Sequence, residues 1–233
     1  MKIVHVVPNS LVDFPAHLAA VVFVAGCNFR CPFCHNPELV LPSHPGRGPT
    51  RPEPEVLDFL RHRVGFLDGV VLTGGEPILQ PDLSGFIERI RALGYAIKLD
   101  TNGSDPESLE RLLQHALVDY VAMDVKAPLA RYEALAGVPI DSERIRRSIR
   151  AIIERAPDYE FRTTVAPTLT RGDLRRIADL VRGAKRFVLQ SFVVPSGKDL
   201  LNPMWGTRPA LSRDELAQTW GSLKGAFPHG GIR

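Results

Sequence analysis

A chain of 233 residues, 44% of them hydrophobic and 24% charged, has the size and composition of one soluble domain with a substantial core. Its formal charge of +3 comes without a dense basic stripe interleaved with aromatics, so neither nucleic acid nor a membrane surface is an expected partner. The opening run from Met1 to Val7 is broken by Pro8 and the longest later apolar run, Leu18 to Ala25, is of strand length, so the expectation is a cytoplasmic protein without signal peptide or membrane span.

In chain order, residues 1–17 read as an N-terminal extension. Leu18 to Val24 is a nearly unbroken β-branched run that ends at Gly26 and reads as a first, buried strand. Short apolar runs recur at Gly69 to Thr73, Ala96 to Asp100, Tyr120 to Asp124, Phe161 to Val165 and Phe187 to Phe192. Helical patterns fill the intervals: Glu53 to Arg63, Asp82 to Leu93, Pro106 to Ala116, Ser142 to Ile153, Arg171 to Val181 and Ser212 to Lys224, with Asp82, Asp105 and Ser142 placed as N-caps. Arg144, Arg146, Arg147 and Arg150 read as a solvated helix face. Two stretches are irregular: Pro42 to Pro54, with five prolines and two glycines, and Pro195 to Ala210, where Met204 and Trp205 read as an apolar anchor to the core.

Strands apolar throughout and separated by helices imply a parallel sheet with helices on its outer face. The expected fold is an α/β partial (β/α)6 TIM-like barrel within a single domain, residues 1–233. Its core is 18–192, a cysteine loop follows the first strand, and 193–233 form a C-terminal loop and helix. Right-handed crossovers put every strand's C-terminal end on one side, where barrels assemble their sites. An open doubly wound sheet is the alternative, and it gathers ligands at the same ends.

The chemistry is concentrated at those ends. Cys27, Cys31 and Cys34 are the entire thiol content and are spaced C-x3-C-x2-C. Three thiolates from one short loop can hold three corners of a cubane iron-sulfur cluster and leave the fourth iron open to a small molecule. A zinc site would need a fourth ligand, from the awkwardly adjacent His35 or from His5, His17 or His44. A disulfide would leave one cysteine over and strain so short a loop. The second strand ends in Thr73-Gly74-Gly75-Glu76-Pro77, the third in Lys98-Leu99-Asp100-Thr101-Asn102-Gly103, the fourth in Met123-Asp124-Val125-Lys126. Taken singly, Gly-Gly-Glu-Pro and Asn-Gly are ordinary turns and Asp124 with Lys126 an ordinary surface pair.

Taken together, the cysteine spacing, Phe33 just before the third cysteine and the Gly-Gly-Glu-Pro segment resemble the radical S-adenosylmethionine (SAM) superfamily. The Asp-Thr-Asn-Gly and Asp-x-Lys segments resemble its glycyl-radical-enzyme activase branch. Ser10 to Pro15, Cys34-His35-Asn36-Pro37-Glu38 and Leu189-Gln190-Ser191-Phe192 are similar to activating proteins of anaerobic ribonucleoside-triphosphate reductase, and the likeness runs from about residue 9 to 205. This resemblance implies a [4Fe-4S] cluster on Cys27, Cys31 and Cys34 that reduces SAM to methionine and a 5′-deoxyadenosyl radical. It implies a SAM shell of Phe33, Asn36, Gly74, Gly75, Glu76, Thr101, Asn102, Asp124, Lys126 and Gln190. Within that shell the glycines allow close backbone approach to the ligand, Glu76 takes the SAM ammonium and Lys126 its carboxylate. Asp100, Thr101 and Asp124 are the implied ligands of a monovalent cation, K+ or Na+. His35 reads either as a packing residue of the cluster loop or as a proton donor near the site, with packing preferred. The implied partners are a glycyl radical enzyme, the anaerobic (class III) ribonucleotide reductase, and a flavodoxin- or ferredoxin-type electron donor. Two alternatives stand beside this: a small-molecule radical SAM enzyme resembling 7-carboxy-7-deazaguanine synthase, and a noncatalytic redox module, for which carboxylates at three strand ends would have no use.

Overall fold

The computed structural model of the chain describes residues 1–46, 48–194, 197 and 199–233. Among the described residues, eight strands lie in one sheet in sequence order. Strand β1 (Ile3–Ser10) runs antiparallel to β2 (Ala19–Val24). From β2 the short helix α1 (Pro37–Val40) and α2 (Glu53–Arg61) lead to β3 (Gly69–Gly74), and α3 (Leu83–Arg91) leads to β4 (Ala96–Thr101). Helix α4 (Pro106–Gln114) precedes β5 (Tyr120–Asp124); α5 (Tyr132–Ala136) and α6 (Ser142–Arg155) precede β6 (Asp158–Val165). The chain closes with α7 (Arg171–Leu180), β7 (Arg186–Ser191), α8 (Arg213–Leu223) and β8 (His229–Ile232). All pairings from β2 to β8 are parallel, and the sheet stays open between β1 and β8: a partial α/β barrel, as expected.

Strand alternation sorts the side chains. On the outer face Val70, Leu72, Ile97, Leu99, Val121 and Met123 join one large core with the helices. Helix α3 meets it with Leu83, Phe86, Ile87 and Ile90, spaced i, i+3, i+4, i+7 and all buried. The inner face is lined at its lower end by Ala19, Val21, Val71, Tyr120 and Ala122, with Phe14 packed into the same cluster. Higher up the same face turns polar, so the barrel interior becomes charged where the strands end.

The structure departs from the sequence reading in several elements. Residues 1–17 contribute β1, an edge strand whose half-exposed pattern and Pro8 hide its periodicity. Strand β8, His-Gly-Gly-Ile, has no apolar run to betray it. Strand β6 starts at Asp158, three residues before the expected Phe161, because Glu160 faces the interior and is paired there with Arg233. The cap of α6 is Asp141, which accepts from Glu143 N, rather than Ser142; Asp105 caps α4 as expected, and Asp82 sits at the cap position of α3 without a side-chain bond. Arg144 and Arg147 are not merely solvated: they pair with Asp105, Glu107 and Glu110 and tie α6 to α4. Trp205 is buried and anchors its loop, whereas its neighbour Met204 is exposed. Arg47 and Pro195, within the two irregular stretches, lie outside the described residues, as do Ser196 and Lys198. Among the described residues no helix is long and apolar enough to cross a membrane.

Candidate active site

The cysteine loop and the C-terminal ends of β3 to β6 line an open cavity of about 230 Å³. Every residue expected at the site lines it except Gln190, which stands behind the lining residue Thr164 with its Oε1 3.5 Å from that hydroxyl. His35 also reaches the cavity wall, its ring 5.6 Å from that of Phe192, in keeping with a packing role.

Main-chain bonds hold the cysteine loop from three sides. Gly26 O accepts from Glu76 N at 2.8 Å, Arg30 N donates to Ala136 O at 2.7 Å, and Leu201 N and Asn202 N donate to Cys34 O and Pro32 O at 3.0 and 2.9 Å. The approaches are so close that side chains cannot enter. A Cβ on Gly75 would stand 2.1 Å from Gly26 O, and one on Gly137, whose φ is +71°, would stand 2.1 Å from Arg30 O. Gly75 of the Gly-Gly-Glu-Pro turn thus serves contact between two loops of the chain while it also lines the cavity. Phe33 packs 5.9 Å from Trp205, which joins the last loop to the cysteines.

All three cysteines are free thiols. Burial, reinforced for Cys27 by the Glu76 carboxylate, pushes its thiol up to about 11, and burial pushes Cys31 up to about 12 and raises Cys34. Such thiols are poor nucleophiles in the bare protein, but a bound cationic centre would deprotonate them. Among the described residues no three of His, Cys, Asp and Glu close on one point as a single ion requires. The thiols line the cavity wall.

Across the cavity, Glu76 is 1% exposed. Its carboxylate accepts from Ile78 N at 3.2 Å, Thr101 Oγ1 at 2.8 Å and Asn102 N at 2.6 Å, locking the turn after β3 to the end of β4. Burial outweighs these bonds and raises its pKa to about 7. Asn102 links the two sides, donating through Nδ2 to Asn28 Oδ1 at 3.0 Å, with Cys27 Sγ 3.9 Å away.

The floor of the cavity is a net of ion pairs. Asp124 binds Lys126 Nζ at 3.1 Å and Arg162 Nε at 2.9 Å, and Arg162 also approaches Asp100 at 3.5 Å. Lys98 Nζ is bonded to Asp100 Oδ1. Burial works against the Asp124 charge, yet Arg162 and Lys126 outweigh it and hold the carboxyl well below the usual range; Asp124 in turn raises Lys126. The site therefore offers a carboxylate at one end, Glu76, and the largely buried cations Lys126 and Arg162 at the other. That polarity suits the ammonium and carboxylate of an amino acid.

Comparison with known proteins agrees with this geometry. The family model described as the radical SAM superfamily matches residues 21–181. The chain belongs to this superfamily. A protein of Methanocaldococcus jannaschii, provisionally named a glycyl-radical enzyme activating enzyme, is 34% identical over 220 residues, 91% of this chain and 88% of its own. The pyruvate formate-lyase-activating enzyme of Clostridium pasteurianum is 27% identical over 75% of this chain and 74% of its own length. A 7-carboxy-7-deazaguanine synthase of Methanothermobacter thermautotrophicus is 32% identical over 66% and 64%. Among solved structures, SuiB of Streptococcus suis bound to S-adenosylmethionine shares the fold with a TM-score of 0.66 at 13% identity, over 89% of this chain and about half (48%) of the SuiB chain.

Radical SAM membership implies a [4Fe-4S] cluster and SAM, and the residues present fit both: soft sulfur donors on one wall, and opposite charges beyond them. The monovalent cation fits less well, because Asp100, Asp124 and Thr101 all have protein partners: Thr101 Oγ1 donates to Glu76 and accepts from Gly103 N at 3.1 Å. Sequence reasoning missed Arg162, Thr164 and Gly137. The first two sit in Arg-Thr-Thr on β6, a string without a motif, and only strand alternation could have turned Arg162 and Thr164 inward together.

Proposed function

We propose that this radical SAM enzyme is an activase that installs a glycyl radical on a class III ribonucleotide reductase. The observation that carries the reading is the near full-length relationship to the M. jannaschii protein, joined to a site whose cysteine wall faces Glu76 across one open cavity. When bound, a reduced [4Fe-4S] cluster would supply one electron for cleavage of SAM to methionine and a 5′-deoxyadenosyl radical, which would take a hydrogen atom from a backbone glycine of the partner.

The chain's own residues prepare that event. Cys27, Cys31 and Cys34 are the cluster ligands. Glu76 receives the SAM ammonium on the acceptor capacity that its three donors leave free, and Lys126 with Arg162 receives the carboxylate. Phe33, Asn36 and Thr164 wall the cavity and restrict water near the reacting carbon. A flavodoxin- or ferredoxin-type protein of the cytoplasm is the proposed electron donor.

The test mixes anaerobically reduced protein, SAM and the candidate reductase and records electron paramagnetic resonance. A doublet that collapses when the reductase carries glycine deuterated at Cα is the expected result. If 5′-deoxyadenosine forms but no reductase of the same genome gains the signal, the substrate is a small molecule, the reading that the 7-carboxy-7-deazaguanine synthase relative favours.

A further inference from the structure

The interior face of β4 carries Lys98 and Asp100 two residues apart, so strand alternation stacks them one above the other. Lys98 is 2% exposed, and a buried ammonium is costly unless it is held by partners. Its Nζ is bonded to Asp100 Oδ1 and lies 5.9 Å from the centre of the ring of Tyr120, its partner on β5. Above, Arg162 reaches Asp100, Asp124 and, at 4.0 Å, Glu160, while Arg233 pairs with Glu160 at 2.9 Å. The net thus sets the carboxylates of Asp100, Asp124 and Glu160 against the cations of Lys98, Lys126, Arg162 and Arg233. Asp100 and Asp124 are thus already neutralised by the chain's own cations. A further cation would have to displace a lysine or arginine from Asp100 or Asp124.

We infer that in this chain the Lys98 ammonium, together with the Arg162 guanidinium, takes the part that the activase resemblance gives to a monovalent metal ion. SAM binding is then independent of alkali cations. Lys98 acts as a positioning residue: it holds Asp100, which with Asp124 orients Arg162 toward the cavity. The inference rests on SAM occupying this site.

The experiment titrates SAM calorimetrically into the anaerobically reconstituted full chain in potassium, sodium or tetraethylammonium chloride at one ionic strength, so that general screening is constant. The parent should show one affinity, within about threefold, in all three salts. Lys98→Met leaves an open acceptor on Asp100 and should bind SAM more than about threefold tighter in potassium than in tetraethylammonium. Lys98→Arg keeps the charge and should stay indifferent. Melting of the metal-free protein in the same salts gives a second readout: potassium should stabilise Lys98→Met and leave the parent unmoved. A parent that gains more than about threefold in potassium, or a Lys98→Met protein indifferent in both measurements, overturns the inference. A parent that binds no SAM in any salt overturns the functional reading instead, and the melting arm still decides between Lys98 and an alkali ion.

Discussion

Glu76 shows how one buried group ties stability to ligand binding. Its carboxyl titrates near 7 in the fold against 4.5 outside it, chiefly because it is buried. The native state therefore holds this proton more tightly than the unfolded chain does. The sign follows: its favourable contribution is complete below pH 4.5 and is lost as pH rises to 7, a change of about 3 kcal/mol. SAM brings an ammonium that needs the ionised form, so SAM affinity of the parent should fall as pH is lowered below 7, approaching tenfold per unit. Glu76→Gln should retain the thiols' iron, bind SAM about tenfold or more weakly at pH 8, and lose the pH slope. Titrations at pH 6, 7 and 8 check this, and parallel slopes in both proteins would remove Glu76 from the ammonium site. The sequence made much of this layer legible, since Cys27, Cys31, Cys34, Glu76, Asp124 and Lys126 sit in strings whose spacing carries chemistry. Lys98 and Arg162 were not legible as site residues, because their meaning lies in distances across the barrel, from β4 to β6, that no local string encodes.

At the level of elements, periodicity identified the six buried parallel strands and the long helices, because each shows an apolar pattern that its neighbours leave uninterrupted. It failed at the sheet edges. Strand β1 is half solvated, and β8 contributes two glycines to four residues, so both are held by backbone pairing that leaves no hydrophobic signature. The helix α5 was equally silent, yet it ends in Gly137 directly under the cysteine loop, with its last carbonyl bonded to Arg30 N. Gly137→Ala should keep the circular dichroism of the parent but take up no more than about half its iron on reconstitution, since the left-handed backbone and the Arg30 carbonyl both resist a methyl group. Gly94→Ala is the control. It shares a positive φ of 92° but faces open space, so it should cost about 1 kcal/mol in melting experiments and leave iron uptake intact.

For the whole molecule, the cysteine loop is the point where the sheet, α5 and the segment at residues 201–202 meet. A cluster bound there ties together elements far apart in sequence, and ligands that bind only the native state add to its stability. Anaerobic reconstitution should therefore give about four irons per chain and raise the melting temperature of the parent. Cys31→Ala, which removes the most buried of the three thiols, should show neither gain. Zinc retained at one ion per chain, with iron refused, would contradict the cluster outright.

The contact between Gly75 and Gly26 carries a last consequence. The turn that bears Glu76 and the loop that bears the thiols touch through main chain alone, at a separation that no rotamer can adjust. The interval from the thiols to the carboxylate is thus a ruler cut into the backbone. Outer loops can be exchanged or remodelled while that ruler stays the same length, so the thiol wall with its facing carboxylate and the rim of the cavity can be engineered separately.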